Sequence, residues 1–154
     1  LRESGLADRI EQALRFHGLD ASQLRCEITE SVAREDIKAT QRTFDGLARI
    51  GVFLSIDDFG TGYSSLAYLK KLAIHRLNID RTFICGLPDD EGDSAIVKAV
   101  LGMGRALGFS VVAEGVETQE QRLALHTMGC EYYQGFLCAP ALSAAEFRSL
   151  VLGT

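Results

Sequence analysis

The chain has 154 residues, the length of one ordinary domain, and no apolar run approaches the roughly 20 residues that a membrane-spanning helix needs. A net charge of −5, with 16 Lys and Arg against 21 Asp and Glu, excludes the basic footprint of a nucleic-acid binder. Hydrophobic content of 47% and charged content of 24% fit a soluble globular domain, and no signal-peptide pattern opens the chain.

Apolar positions Leu6, Ile10, Ala13 and Leu14 share one helical face, and Gly18 ends that helix. A strand follows at Leu24 to Thr29. Helical spacing returns from about Glu35 to Ile50, with Ile37, Phe44, Leu47 and Ala48 inward and Gly51 as the stop. Val52 to Ile56 is a short apolar strand interrupted by Ser55. Ser64 to Leu69 reads as a short helix and Leu77 to Ile79 as a strand. Asp93 or Ser94 can cap a helix from about Ala95 to Leu107, and Ser110 to Ala113 is the next strand. Thr118, with Gln121 three residues on, opens a helix that Met128 and Gly129 close. Cys130 to Tyr133 is the fifth strand. Ser143 caps a last helix whose expected buried face holds Ala144, Phe147, Leu150 and Val151.

The order is αβαβαβαβαβα, an α/β chain with about five parallel strands and flanking helices. Short, continuously apolar strands are typical of parallel sheets covered on both faces. An open doubly wound sheet and a piece of a (β/α)₈ barrel both fit. A full barrel needs eight strands and about 250 residues, so the second reading makes this a partial TIM-like barrel. Its open edges would require a partner chain or further strands of its own domain. The start at Leu1, inside a helical stretch, points the same way.

Four cysteines, Cys26, Cys85, Cys130 and Cys138, form no Cys-x-x-Cys pair, and no histidine stands at zinc-ligand spacing. Reduced thiols and a cytoplasmic setting are expected. His17 and His126 lie on helices, and His75 lies near a strand start, the wrong end for barrel chemistry.

Acidic residues gather at the downstream ends of the apolar runs: Glu27 and Glu30, Asp57 and Asp58, Asp80, Glu114 and Glu117, with Gln134 at the fifth. In a parallel sheet those ends lie together, and carboxylates crowded there repel one another unless a cation neutralises them. A hard-metal site at strand ends suits phosphate chemistry. Asp57 and Asp58, adjacent at a strand end, can splay so that one bridges two cations and the other binds one. Gly60 and Gly62 allow backbone conformations closed to other residues. Thr61, Ser64 and Ser65 can cap the next helix, whose N-terminus favours an anion. An Asx turn with an ordinary Gly-rich loop, solvated Glu pairs and a surface Asp80–Arg81 arrangement are the plainer alternatives.

Taken together these stretches resemble the EAL family, the bacterial cyclic di-GMP phosphodiesterase domain. The matching pieces are Glu27 to Ser31, the ten residues Asp57 to Leu66, Leu77 to Ile84, Val112 to Thr118, and Gln134-Gly135-Phe136. The resemblance implies a TIM-like barrel that opens cyclic di-GMP, a bacterial second messenger, to linear pGpG with two Mg²⁺ or Mn²⁺. Glu27, Asp57, Asp58 and Glu114 match metal ligands, Asp57 between the two ions, and Glu114 also counts as catalytic. Asp80 matches the acid near the attacking water, and Gln134 a residue that hydrogen-bonds water at the metals. Glu30 matches the residue holding the loop of Gly60, Thr61, Gly62, Tyr63 and Ser64, and Glu117 a supporting position. The resemblance also implies a cytoplasmic place within a larger multidomain or membrane-bound signalling protein.

Three departures stand out. The Glu-Ala-Leu signature and an Asn-bearing strand motif are absent, Asn78 replaces the family's catalytic Lys, and Ala139 precedes Pro140 where the family has Arg. Loss of a fixed charge from such a site costs ~10²-fold or more. Residues 1–154 are therefore expected to form a single partial domain lacking the first strands, inactive by itself and closed by a homodimer partner or by the rest of its own domain. The alternative is a degenerate domain acting as a cyclic di-GMP receptor or a protein-interaction module.

Overall fold

In the computed structural model, which describes residues 5–60 and 69–153, five short parallel strands lie side by side in chain order. They are β1 (Arg25–Thr29), β2 (Phe53–Phe59), β3 (Arg76–Ile79), β4 (Ser110–Ala113) and β5 (Tyr132–Tyr133). Seven helices are present among the described residues: α1 (Leu6–His17), α2 (Glu30–Glu35), α3 (Ile37–Ile50), α4 (Thr82–Cys85), α5 (Glu91–Leu107), α6 (Gln119–Met128) and α7 (Ala144–Leu152). A doubly wound sheet reverses its strand order at a switch point. This sheet never reverses, so its winding is that of a barrel segment.

Side chains alternate across each strand, and the two faces of this sheet differ in chemistry. Leu54, Ile56, Leu77, Ile79, Val111 and Ala113 point one way and are buried in the core with Phe44, Leu47, Val97 and Leu101. Burying each large apolar side chain contributes about 1.5–3 kcal/mol. The other face carries Glu27, Ser55, Asp57 and Asn78. Register aligns them, with Glu27 opposite Ser55, Thr29 opposite Asp57, Ile56 opposite Leu77 and Asn78 opposite Val112.

Capping explains where the helices begin. The expected single helix from Glu35 to Ile50 is two, α2 and α3. Asp36 leaves helical geometry (φ −144°, ψ 89°) and accepts from the Ala39 amide at 2.9 Å, so it caps α3. Glu30, expected at a loop start, is the first residue of α2. The α5 helix begins a turn earlier than expected, because Asp90 and not Asp93 or Ser94 accepts the capping bond, from the Asp93 amide at 2.9 Å. Thr118 and Gln121 form the reciprocal cap expected for α6. The short α4 was not foreseen, and β5 has two residues where four were expected. The expected helix Ser64–Leu69 lies outside the described residues except for Leu69, which is buried.

The expectation for α7 fails. Its Ser143 cap forms with Glu146, but no residue of α7 is buried, and Phe147, Leu150 and Val151 are 59%, 61% and 61% exposed. Periodicity located an apolar face; nothing among the described residues covers it.

At the N-terminal end of the sheet His75 has a structural task. Its Nδ1 accepts from the Leu54 amide at 3.1 Å and its ring stacks on Phe53. The guanidiniums of Arg25 and Arg76 lie over the same Phe53 ring, 4.7 and 5.2 Å from its centroid.

Candidate metal centre at the strand ends

Residues next to each other in a strand point to opposite faces. Asp57 and Asp58 are adjacent, yet their carboxylate oxygens lie with one of Glu114 within 4.8 Å of one another. The backbone explains this. The β2–β3 register shifts between Ile56 and Phe59, and Asp58 is in the left-handed region at φ 54°. A bulge of this kind re-aims a side chain at a strand end. Asp tolerates left-handed backbone better than most residues, and the Asp58 amide donates to Asp57 Oδ1 at 3.0 Å.

Each neighbouring strand adds a group. From β3, Asn78 Nδ2 donates to Asp57 Oδ1 at 3.3 Å. From the residue after β5, Gln134 Nε2 donates to Glu114 Oε1 at 2.7 Å. From β1, Glu27 accepts from Ser55 Oγ at 2.9 Å, and its charge reaches Glu114. Asp80 accepts from the Thr82 amide at 2.8 Å and from its hydroxyl, just before α4, and its charge reaches Asp58.

Crowding shows in the acidities. Partial burial, then the charge of Asp57 and its hydrogen bond, then Asp58 and Glu27, push Glu114 up to about 7. Desolvation, the charges of Asp57 and Asp80, and the Asp80 hydrogen bond push Asp58 upward too. Negative side chains held as close as Asp57, Asp58 and Glu114 favour either a proton or a cation. The donors are all oxygens, which suits a hard divalent ion such as Mg²⁺, Mn²⁺ or Ca²⁺.

Glu30 stands apart from this cluster and supports it. It is 1% exposed, its Oε2 accepts from the Gly60 amide at 3.0 Å, and Arg34 pairs with it at 3.6 Å. Gly60 (φ 105°) lies so close to Phe83 that a Cβ would sit 2.8 Å from its ring. Thr61, Gly62, Tyr63 and Ser64 lie outside the described residues. Glu117 is exposed and gives only its backbone amide, to Gln121 Oε1 at 2.8 Å. Sequence reasoning singled out Ser55 and Asn78 but not what they touch. Ser55, the one polar residue in its run, holds Glu27. Asn78 is a buried amide set against Asp57.

A parallel α/β sheet wound in chain order, with carboxylates converging at its C-terminal strand ends, is the arrangement of a TIM-type barrel domain. The sequence matches the EAL domain family over residues 1–141, and the chain belongs to that family. It is 46% identical over 148 residues to the Pseudomonas aeruginosa bifunctional diguanylate cyclase/cyclic di-GMP phosphodiesterase MucR, covering 96% of this chain and 22% of MucR. It is 43% identical over 151 residues to the cyclic di-GMP phosphodiesterase NbdA of the same organism, covering 98% of this chain and 19% of NbdA. The chain thus spans about a fifth of these curated relatives. The solved cyclic di-GMP complex of the MucR phosphodiesterase superposes with a TM-score of 0.90 at 46% identity, over 95% of this chain and 59% of that one. A Klebsiella pneumoniae BlrP1 complex with manganese and cyclic di-GMP gives 0.81 at 31% identity, over 88% and 35%.

Proposed function

We propose that this chain contributes the metal-binding half of a site that takes cyclic di-GMP and, in the complete protein, opens it to pGpG. The observation that carries the reading is the convergence of Asp57, Asp58 and Glu114 at the strand ends. In the proposal Glu27, Asp57, Asp58 and Glu114 hold the cations. When bound, such ions would lower the pKa of a coordinated water and offset charge on the phosphoryl oxygens. Gln134 orients Glu114, Glu30 fixes the Gly60 turn beside the site, and Asp80 meets the cluster through Asp58. Thr61 to Ser64 and Glu117 are proposed to border the nucleotide.

The sheet edges at β1 and β5 pair with no further strand among the described residues. The strands that would complete the barrel, from the same protein or a second copy, are part of the proposal.

A second reading has its own support. Asn78 stands beside Asp57 with no positive charge, so this position offers no cation to assist the attacking water. A receptor that binds cyclic di-GMP with little turnover fits that residue.

Calorimetry and product analysis separate the two. The complete protein with Mn²⁺ is expected to bind cyclic di-GMP, and Asp57→Ala is expected to abolish both that binding and Mn²⁺ uptake. Formation of pGpG supports the enzyme, and tight binding without it supports the receptor. Unchanged Mn²⁺ affinity in Asp57→Ala refutes the site.

A further inference from the structure

Asn78 is 4% exposed, and its side-chain oxygen is the one buried side-chain polar atom among the described residues that lacks a hydrogen-bond partner. Its amide nitrogen is already used, donating to Asp57 Oδ1 at 3.3 Å. Turning the amide over would set a carbonyl oxygen against a carboxylate oxygen, acceptor against acceptor, so the observed orientation is the one electrostatics selects. A buried amide oxygen left unpaired is destabilising. That cost is borne at the wall of a carboxylate cluster, on the face of β3 that Glu27, Ser55 and Asp57 share on neighbouring strands.

We infer that the Asn78 carbonyl oxygen is a ligand of the divalent centre, directly or through one water, while its NH₂ group fixes Asp57 in place. The inference rests on the proposed metal centre and adds a member to it that the carboxylate pattern alone does not include. The chemistry is consistent. An amide carbonyl is a neutral hard oxygen, a usual ligand of Mg²⁺, Mn²⁺ and Ca²⁺, and it adds no charge to a cluster already short of counter-charge. Among the described residues no protein group pairs with that oxygen, whereas a cation or a water among the carboxylates would. A protein donor from β4 is absent, because the register neighbour of Asn78 is Val112.

Mn²⁺ titration of the full-length protein tests this, with Asp57→Ala setting the baseline for ions bound elsewhere. Asn78→Leu matches the side chain in size and removes both amide atoms. Its Mn²⁺ affinity is expected to fall 10–100-fold, the usual cost of losing such a partner. Its melting temperature in EDTA is expected to equal or exceed that of the parent, because the orphaned oxygen is gone. A purely structural Asn78 predicts the reverse, a lower melting temperature with unchanged affinity. Asn78→Asp, which keeps an oxygen in place, is expected to bind Mn²⁺ at least as tightly as the parent and serves if the Leu variant does not fold. Parent-like affinity in Asn78→Leu, or tenfold weaker binding in Asn78→Asp, overturns the inference while Asp57→Ala still loses the ion. Parent-like affinity in Asp57→Ala overturns the centre itself, and this assignment with it.

Discussion

Glu114 is a half-buried carboxyl crowded by other carboxylates. Its carboxyl, pushed up to about 7 by partial burial and by Asp57, Asp58 and Glu27, titrates near 4.5 once unfolded. Folding then takes up a proton between those two values, so without metal this group's contribution to stability is full below pH 4.5 and is lost as pH rises to about 7. A divalent ion needs the ionised carboxylate, so Mn²⁺ affinity runs the other way and rises across the same interval. Thermal melts in EDTA from pH 4.5 to 8 are expected to fall more steeply for the parent than for Glu114→Gln, which carries no such proton. Parallel slopes for the two proteins would remove Glu114 from the cluster. The carboxylates themselves were legible in the sequence, because short apolar runs ending in Asp or Glu are local signals. The aim of Asp58 was not: it depends on a bulge and on one left-handed residue, which periodicity does not encode.

Secondary-structure elements place the site through their ends. The β1–α2 junction shows how. Thr29 caps α2, which begins at Glu30, so the Glu30 carboxylate enters the core instead of solvent and meets the amide of Gly60 on the next crossover. Glu30→Ala removes a charge-assisted bond and leaves the Gly60 amide and Arg34 unpartnered at that spot, an expected loss of about 1.5–3 kcal/mol in urea unfolding. Glu30→Gln keeps an acceptor and is expected to lose less than half of that. Equal losses would show that burial of any polar group there, not the bond to Gly60, sets the cost. The α3 helix could be read from apolar spacing because its inner face meets the sheet, and α5 and α6 from their caps and stops. The Asp36 break could not, since Arg34-Glu35-Asp36 has the composition of a solvated helix face and only the non-helical backbone of Asp36 (φ −144°, ψ 89°) separates α2 from α3 there.

At the scale of the molecule, two apolar surfaces face outward: Phe147, Leu150, Val151 and Leu152 on α7, with Phe136 before it, and the ring-bearing face of the sheet at Tyr132. An exposed apolar helix face such as that of α7 marks a place where another element docks, or a liability if none does. Sequence periodicity found the α7 face correctly as apolar, and it carried no information about the surface meant to cover it. If strands from outside residues 1–154 complete the sheet, the two surfaces are covered together. Residues 1–154 prepared alone are then expected to bind a hydrophobic dye such as ANS and to self-associate with rising concentration in sedimentation. Phe147→Ser with Leu150→Ser is expected to reduce both effects while leaving Mn²⁺ uptake at Asp57 and Glu114 unchanged, because α7 contributes no side chain to the cluster. A dye-silent, monomeric 154-residue protein would mean that this face is tolerated in water as it stands. The completing strands would then have to be sought at the β1 and β5 edges alone.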